Sequence, residues 1–405
     1  MSSQSAERAV SESTTALIDT VERFWPAGPA QIVRRSAQCE FGFAFVPDAA
    51  RPRLLVPVAG GRVASEAMQK YSASLSSREI LKRAGVSAFF RVFGVWPLRD
   101  RLIYAPGADS LQNYLNKVLG ESVHFTISVG TARANRKPIL QVFSAQGRTL
   151  AYAKIGDGEV SASDVSREMR SLDAIQGRLP GQFEVPERLH FGTWEGMKVL
   201  VLSPLKVAAL QRPLRWLKVP SSEMTALSRA FEESPVVVGD TSGWHRGGEL
   251  IAQLSSTNRR ERLLALRQSV AALGDRLPLK VGAWHGDWTP WNMAWTGGRL
   301  QLWDWERFET GVPEGFDGYH FWVNVVTRRV GFTRAGIQQA LVRAADPGKS
   351  VRESNLVAAA YLLTLGTRYA ASAEGPTGAL IADRADTVIG AAEEWLTRVG
   401  TIKES

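Results

Sequence analysis

The sequence predicts an α+β chain with two unlike lobes, one rich in strand and one mostly helical, behind a small leading α/β module. Residues 121–205 run in the order β-β-β-α-β-β, short apolar runs broken by turn residues. Beyond 205, the stretches 221–234, 248–274, 333–345, 353–373 and 378–399 carry apolar residues at helical spacing. Between the second and third of these lies a dense polar and aromatic segment, WHGDWTPWNMAWTGGRLQLWDWERF at 284–308. Three domains are therefore expected: a module of unassigned role at 1–120, a sheet lobe with one packed helix at 121–205, and a helical lobe at 206–405, with a cleft between the last two.

Composition sets the bounds. The 405 residues are 44% hydrophobic and 22% charged, an ordinary globular balance and enough chain for two or three packed domains. No run approaches eighteen uninterrupted apolar residues, and the opening MSSQSAERAVSESTTALIDTVERF lacks a basic patch leading into an apolar stretch, so a cytoplasmic protein without a membrane span is expected. One cysteine, Cys39, excludes an internal disulfide and any cysteine-built metal site. The formal charge of +9 would suit an anionic ligand or nucleic acid. The basic residues, however, form only short pairs such as Arg34-Arg35, Arg259-Arg260 and Arg328-Arg329. Solvated surface charge is the better reading, and neither a nucleic-acid nor a membrane partner is expected.

Taken in order, the first ~25 residues place Val10, Leu17, Ile18, Val21 and Phe24 at helical spacing, and Trp25-Pro26-Ala27-Gly28-Pro29 ends that helix. QIVRRSAQCEFGFAFVP and PRLLVPVAGG read as strands, and RVASEAMQKYSASLSSREILKRAG as helix. FFRVFGVW and RLIYAP read as a second strand pair, followed by a short helix at 110–119 closed by Gly120. Next come the strands VHFTISVG, KPILQVFSAQG and RTLAYAKIG, the last two joined around Ala145-Gln146-Gly147. The helix SASDVSREMRSLDAIQGRL follows, with Ser163 or Asp164 as N-cap, then strands near RLHFGTW and MKVLVLSP.

The chemistry concentrates in His285-Gly286-Asp287-Trp288-Thr289-Pro290-Trp291-Asn292, with Asp304 twelve residues after Asn292. Residues 294–303 read as a hairpin turning at Thr296-Gly297-Gly298, which sets Asn292 and Asp304 at neighbouring strand ends. One amide and one carboxylate oxygen suit Mg2+, a hard cation that keeps waters and borrows phosphate oxygens. Asp287, on the same loop, could accept a proton from a hydroxyl attacking phosphorus. The spacing fits phosphoryl transfer.

This segment resembles the catalytic loop of the aminoglycoside phosphotransferase and choline kinase branch of the protein-kinase-like superfamily. That branch carries His-Gly-Asp, Asn five residues after the Asp, and a metal-binding Asp about a dozen residues on in an Asp-Trp-Glu context. Asp287, Asn292 and Asp304-Trp305-Glu306 match, and GVPEGFDGYHFW supplies the acidic residue opening the next helix as Asp317, a structural residue. The resemblance runs from about residue 121 to the C-terminus and implies a bilobal protein-kinase-like fold using ATP and Mg2+. It implies Asp287 as catalytic base and Asn292 and Asp304 as metal ligands. His285 reads as a loop-holding residue, and the tryptophans as packing, with Trp288 or Trp291 open to a role flooring a substrate site.

A nucleotide clamp should then precede the loop. Lys154 in AYAKIG takes the position of the lysine that pairs the α- and β-phosphates, and Glu168, fourteen residues later, that of its helical partner. The nucleotide-covering loop falls at SVGTARANRKP, which has only Gly130, with Arg133, Arg136 or Lys137 available to add charge. The hinge falls at LVLSPL, where backbone groups of Ser203 and Leu205 would bond adenine. The resemblance implies transfer of the γ-phosphate to a hydroxyl of a small molecule: a sugar, amino sugar, aminoglycoside or similar. The basic balance weighs modestly against a polycationic acceptor, although Glu306, Glu309, Glu314 and Asp317 cluster near the motif. A non-catalytic kinase-like protein that binds nucleotide or a partner is the competing reading, and oligomeric state is left open.

Overall fold

The computed structural model describes residues 12–34, 42–58, 61–68, 77–105, 107–128, 137–207, 218–375 and 378–403. They divide into two compact units, 1–169 with 186–213, and 170–185 with 214–405. The α+β class stands: the first unit is organised by a sheet, the second mainly by helices.

The first unit runs α1 (Glu12–Phe24), β1 (Gln31–Arg34), β2 (Gly42–Val46), β3 (Leu54–Pro57), α2 (Gly61–Met68), α3 (Ser77–Phe93), β4 (Asp100–Ile103), α4 (Leu111–Leu119), β5 (Val123–Ser128), β6 (Ile139–Ser144), β7 (Thr149–Gly156) and α5 (Glu159–Ile175). After β8 (Phe183–Glu184), which joins the second unit, β9 (Arg188–Trp194) and β10 (Met197–Leu202) complete it. All nine of its strands form one antiparallel sheet in the order β1-β4-β2-β3-β5-β6-β7-β10-β9. The leading 120 residues, set apart in the sequence reading, thus extend the same sheet as residues 123–202. The join is β3 to β5, where Leu54 opposes Ser128 and Leu55 opposes Ile127. One core runs across it, with Trp25 stacked on Tyr104 and on Phe125 at ring separations of 4.0 and 5.4 Å.

Three local expectations are corrected here. FFRVFGVW is not a strand: its first five residues finish α3, where Phe90 is buried while Phe89 and Phe93 are exposed. The helix read across 62–85 is instead α2 followed by α3, separated by residues outside the description. Ser163 and Asp164 lie inside α5 and do not cap it. Asp157 and Ser161 hold the entry, the Ser161 hydroxyl donating to Asp157 at 3.1 Å and accepting the Gly158 N–H at 2.9 Å. By contrast, Gly120 ends α4 in the left-handed conformation, as expected, while Ser110, read as its first residue, instead caps it by accepting the Asn113 N–H.

The second unit contains α6 (Ser221–Arg229), β11 (Glu233–Val236), α7 (Ser242–Ala252), α8 (Thr257–Leu273), β12 (Leu279–Trp284), β13 (Met293–Thr296), β14 (Arg299–Leu302), β15 (Glu309–Pro313), α9 (Phe316–Val330), α10 (Arg334–Ala344), α11 (Val351–Ala373) and α12 (Ala379–Lys403). Helix α11 buries every residue from Leu356 to Leu363, the signature of a helix surrounded by others, and forms the centre of the core. The single helix expected over 248–274 is broken between α7 and α8. The Glu374 carboxylate accepts the N–H groups of Ser255 and Ser256 at 2.9 and 2.8 Å, and Ser256 then caps α8. Two small sheets, β11-β12-β15 and β13-β14-β8, frame the loop that follows β12.

Candidate active site

Strand β12 is pinned on both edges, to β11 and to β15, and delivers the chain into the loop 285–292. Gly286 has φ +78°, and a Cβ there would collide with the Arg307 carbonyl, so the turn accepts only glycine. Asp317, in the first turn of α9, receives the His285 N–H on Oδ2 at 2.8 Å and the Gly286 N–H on Oδ1 at 3.2 Å. This is the structural role expected of it. Arg368 on α11 donates to the carbonyls of Gly286 and Arg307, each at 3.2 Å, and its guanidinium lies 4.2 Å from the centre of the Trp284 ring.

His285 is fully buried and makes two loop-holding bonds. The Asp287 N–H approaches its Nδ1 at 3.3 Å, which leaves Nε2 as the protonated nitrogen that donates to the Trp303 carbonyl at 3.1 Å. Burial pulls its pKa down to about 4, so the ring stays neutral. Burial also pushes Asp317 up, to about 7, against the opposing effect of its two backbone donors and Arg368.

From Val281 to Pro290 every residue is buried except Asp287, whose side chain is 37% exposed. Its carboxylate is held at both oxygens: Asn292 Nδ2 donates to Oδ2 at 2.8 Å, and His320 Nε2 stands 3.3 Å from Oδ1. Asn292 Nδ2 also donates to the Asp287 carbonyl at 3.0 Å. That double donation commits the amide nitrogen and leaves Oδ1 as the side chain's remaining donor atom for a cation.

The expected hairpin is present as β13 and β14, with Met293 opposite Leu302 and both turn glycines, Gly297 and Gly298, at positive φ. The Trp303 N–H donates to the Asn292 carbonyl at 3.1 Å, bringing Asn292 and the residue preceding Asp304 together at its open end. Asp304 itself is left-handed, at φ 72°, and one of its carboxylate oxygens lies within 4.8 Å of one of Glu306. An amide oxygen and two carboxylates are hard donors, a set that fits Mg2+.

Two buried groups of the loop, Trp288 Nε1 and Thr289 Oγ1, have no hydrogen-bond partner among the described residues. Trp288 is fully buried against Phe183 and His285, so it packs the loop and cannot floor a substrate site. Trp291 is half-buried, with the Arg328 guanidinium 5.2 Å from its ring centre.

In the first unit, Lys154 on β7 meets Glu168 on α5, its Nζ 2.7 and 2.6 Å from the two carboxylate oxygens, with both residues buried. In the segment expected to form the hinge, the Ser203 N–H donates to the Glu187 carbonyl at 2.8 Å, and the Glu187 N–H to the Ser203 hydroxyl at 2.8 Å. The Leu205 carbonyl accepts the Val207 N–H at 3.0 Å. Gly130, with Arg133 and Arg136, lies outside the described residues; Lys137 pairs with Asp164 at 3.4 Å. Sequence reasoning missed His320, Tyr361 and Arg368. His320 alone left a signal, being one of five histidines and three residues after Asp317.

Among the described residues, no helix is long and apolar enough to cross a membrane. No protein-family model matches the sequence, and no curated protein matches it. Among solved structures, the chain is similar to the aminoglycoside phosphotransferase APH(4)-Ia, at 15% identity and TM-score 0.48, over 72% of this chain and 99% of that one. It is also similar to the aminoglycoside phosphotransferase APH(2'')-Ib in its ADP-bound form, at 10% identity and TM-score 0.41, over 70% of this chain and 97% of that one. A third similar structure is the GDP and kanamycin complex of APH(2'')-IIIa, at 12% identity and TM-score 0.43, over 71% of this chain and 99% of that one.

Proposed function

We propose that the protein is an ATP- and Mg2+-dependent phosphotransferase that moves the γ-phosphate to a hydroxyl of a small molecule such as a sugar, amino sugar or aminoglycoside, with Asp287 as the base. The observation that carries this reading is the stretch 281–290, the end of β12 and the loop after it, which buries every position but one and leaves a carboxylate as the half-exposed group. An isolated surface aspartate would not be fixed at both oxygens by Asn292 and His320. A base for phosphoryl transfer needs that fixed orientation, because little covalent chemistry falls to the protein and positioning supplies most of the rate.

In this reading Asp287 accepts the proton of the acceptor hydroxyl as its oxygen bonds to the γ-phosphorus and the bond to the leaving ADP oxygen breaks. Asn292 and Asp304 would hold Mg2+, which would supply neutralisation of phosphate charge. Lys154 serves the α- and β-phosphates, with Glu168 fixing its ammonium. The hinge would meet adenine through the Ser203 carbonyl and the Leu205 N–H, since the Ser203 N–H is engaged by Glu187. Gly130 would belong to the nucleotide-covering loop, and a cytoplasmic supply of ATP suits the whole.

The test is ATP consumption with Mg2+ across sugars, amino sugars, aminoglycosides and choline-like alcohols, with Asp287→Asn as the blank. Acceptor-dependent turnover lost in the variant supports the assignment. Turnover that survives the substitution removes Asp287 from the base role.

A further inference from the structure

We infer that His320 is a positioning residue for Asp287, fixing through its Nε2–H the carboxylate oxygen that Asn292 does not reach; the inference rests on the reading of Asp287 as base. A carboxylate held by one donor still swings about its last torsion, whose energy profile is broad. Donors on both oxygens remove that freedom. Asn292 supplies one from the loop itself, at 2.8 Å from Oδ2, and His320 the other from α9, at 3.3 Å from Oδ1.

The orientation of His320 is in turn set by its surroundings. Its Nδ1 lies 3.2 Å from the hydroxyl of Tyr361 on α11. A carboxylate oxygen accepts, so Nε2 carries the hydrogen toward Asp287, and in a neutral ring Nδ1 is then the acceptor for the Tyr361 O–H. Both residues are buried, at 5% and 0% exposure, and the His320 ring meets the Trp284 ring edge-on at 6.1 Å. The same face of α9 grips the loop one turn earlier, where Asp317 takes the N–H groups of His285 and Gly286. Helix α9 therefore fixes the loop backbone with one residue and its half-exposed carboxylate with another.

The experiment compares wild type, His320→Ala, His320→Gln and Asp287→Asn, reading Mg2+-dependent ATP hydrolysis with water as acceptor. It also reads long-range 1H–15N spectra of the imidazole rings, with the His320 signal assigned by its loss in His320→Gln. Gln presents a side-chain N–H where His presents Nε2–H but cannot pass a proton. The expected result is kcat lowered ~10- to 100-fold in His320→Ala with the KM for ATP nearly unchanged, and kcat restored to within about threefold of wild type in His320→Gln. Wild-type kcat in His320→Ala overturns the inference, and so does a Gln variant as poor as the Ala one. The spectra should show the Nε2–H tautomer; an Nδ1–H tautomer overturns the contact whatever the activity. Asp287→Asn as active as wild type would remove the base assignment, while the tautomer still decides the contact.

Discussion

Asn292 donates from one amide nitrogen to both the carbonyl and the carboxylate of Asp287, at 3.0 and 2.8 Å. The amide thereby orients the proposed base with its nitrogen and leaves its oxygen for the proposed Mg2+, so in the proposed function one side chain couples two roles. Replacing Asn292 with Ala should raise the Mg2+ concentration for half-maximal turnover at least ~10-fold and lower kcat in the same variant. Asn292→Asp keeps an oxygen donor but sets two carboxylates against each other, so the acid limb of its pH–rate profile should move to higher pH. Mg2+ titrations of turnover check both, and a variant with altered kcat but unchanged Mg2+ dependence would separate the roles.

Lys154 and Glu168 offer a test that needs no acceptor. Both are buried, and the ammonium lies within 2.7 Å of both carboxylate oxygens. Removing one partner strands a buried charge, at a cost of about 3–5 kcal/mol, whereas apolar groups of similar volume at both positions are often tolerated. Glu168→Ala should therefore shift the urea midpoint strongly downward, and Lys154→Met with Glu168→Leu should recover most of the loss. ATP affinity should fall in every variant lacking Lys154. A double variant that recovers both stability and ATP binding would leave the pair structural and nothing more.

The parts legible in sequence were those whose information is local. The hairpin of β13 and β14 could be read because Gly297-Gly298 is a turn signal at a fixed distance from both strands. The Lys154–Glu168 pair was legible only through the family resemblance, which expects a lysine on that strand and an acidic partner on the helix after it; a strand lysine and a helix glutamate alone would mark nothing. The pairing of β3 with β5 was not, because each strand reads alike whether it ends a small module or continues a larger sheet. The break between α7 and α8 was hidden because the carboxylate that satisfies its N–H groups comes from Glu374, 119 positions from Ser255. His320 and Arg368 escaped for the same reason: their partners on the loop lie 33 and 82 positions away, and of the two only His320, three residues after Asp317, stands beside a residue that marks the contact.

Thr289 tests how tightly the loop is packed. Its hydroxyl is fully buried and has no partner among the described residues, so the folded state carries the desolvation cost of a polar group without the return of a hydrogen bond. Thr289→Val keeps the branched shape and removes the hydroxyl. The melting temperature should rise, by an amount on the order of 1 kcal/mol of stability, while turnover is kept. A fall in melting temperature would mean that the hydroxyl has a bound water whose bonds are worth keeping.

His285 and Asp317 make opposite demands on pH. Burial lowers His285 from 6.5 to about 4, so between those values the folded chain holds one proton fewer there than the unfolded chain, and stability is lost as pH falls. Burial raises Asp317 from 3.8 to about 7, so over that range the folded chain holds one proton more, and stability is lost as pH rises. Each contributes a slope of up to ~1.4 kcal/mol per pH unit, and from about pH 4 to 6.5 the two oppose and largely cancel. Single substitutions should uncover them. Relative to wild type, Asp317→Asn should gain stability as pH rises from 4.5 to 6.5, because the His285 contribution then stands alone; His285→Asn should lose it over the same interval. Denaturation midpoints at three pH values across that interval read the slopes directly. Profiles that stay parallel to wild type would mean that the two groups titrate alike in the folded and unfolded chains, and that burial behind the loop does not shift them.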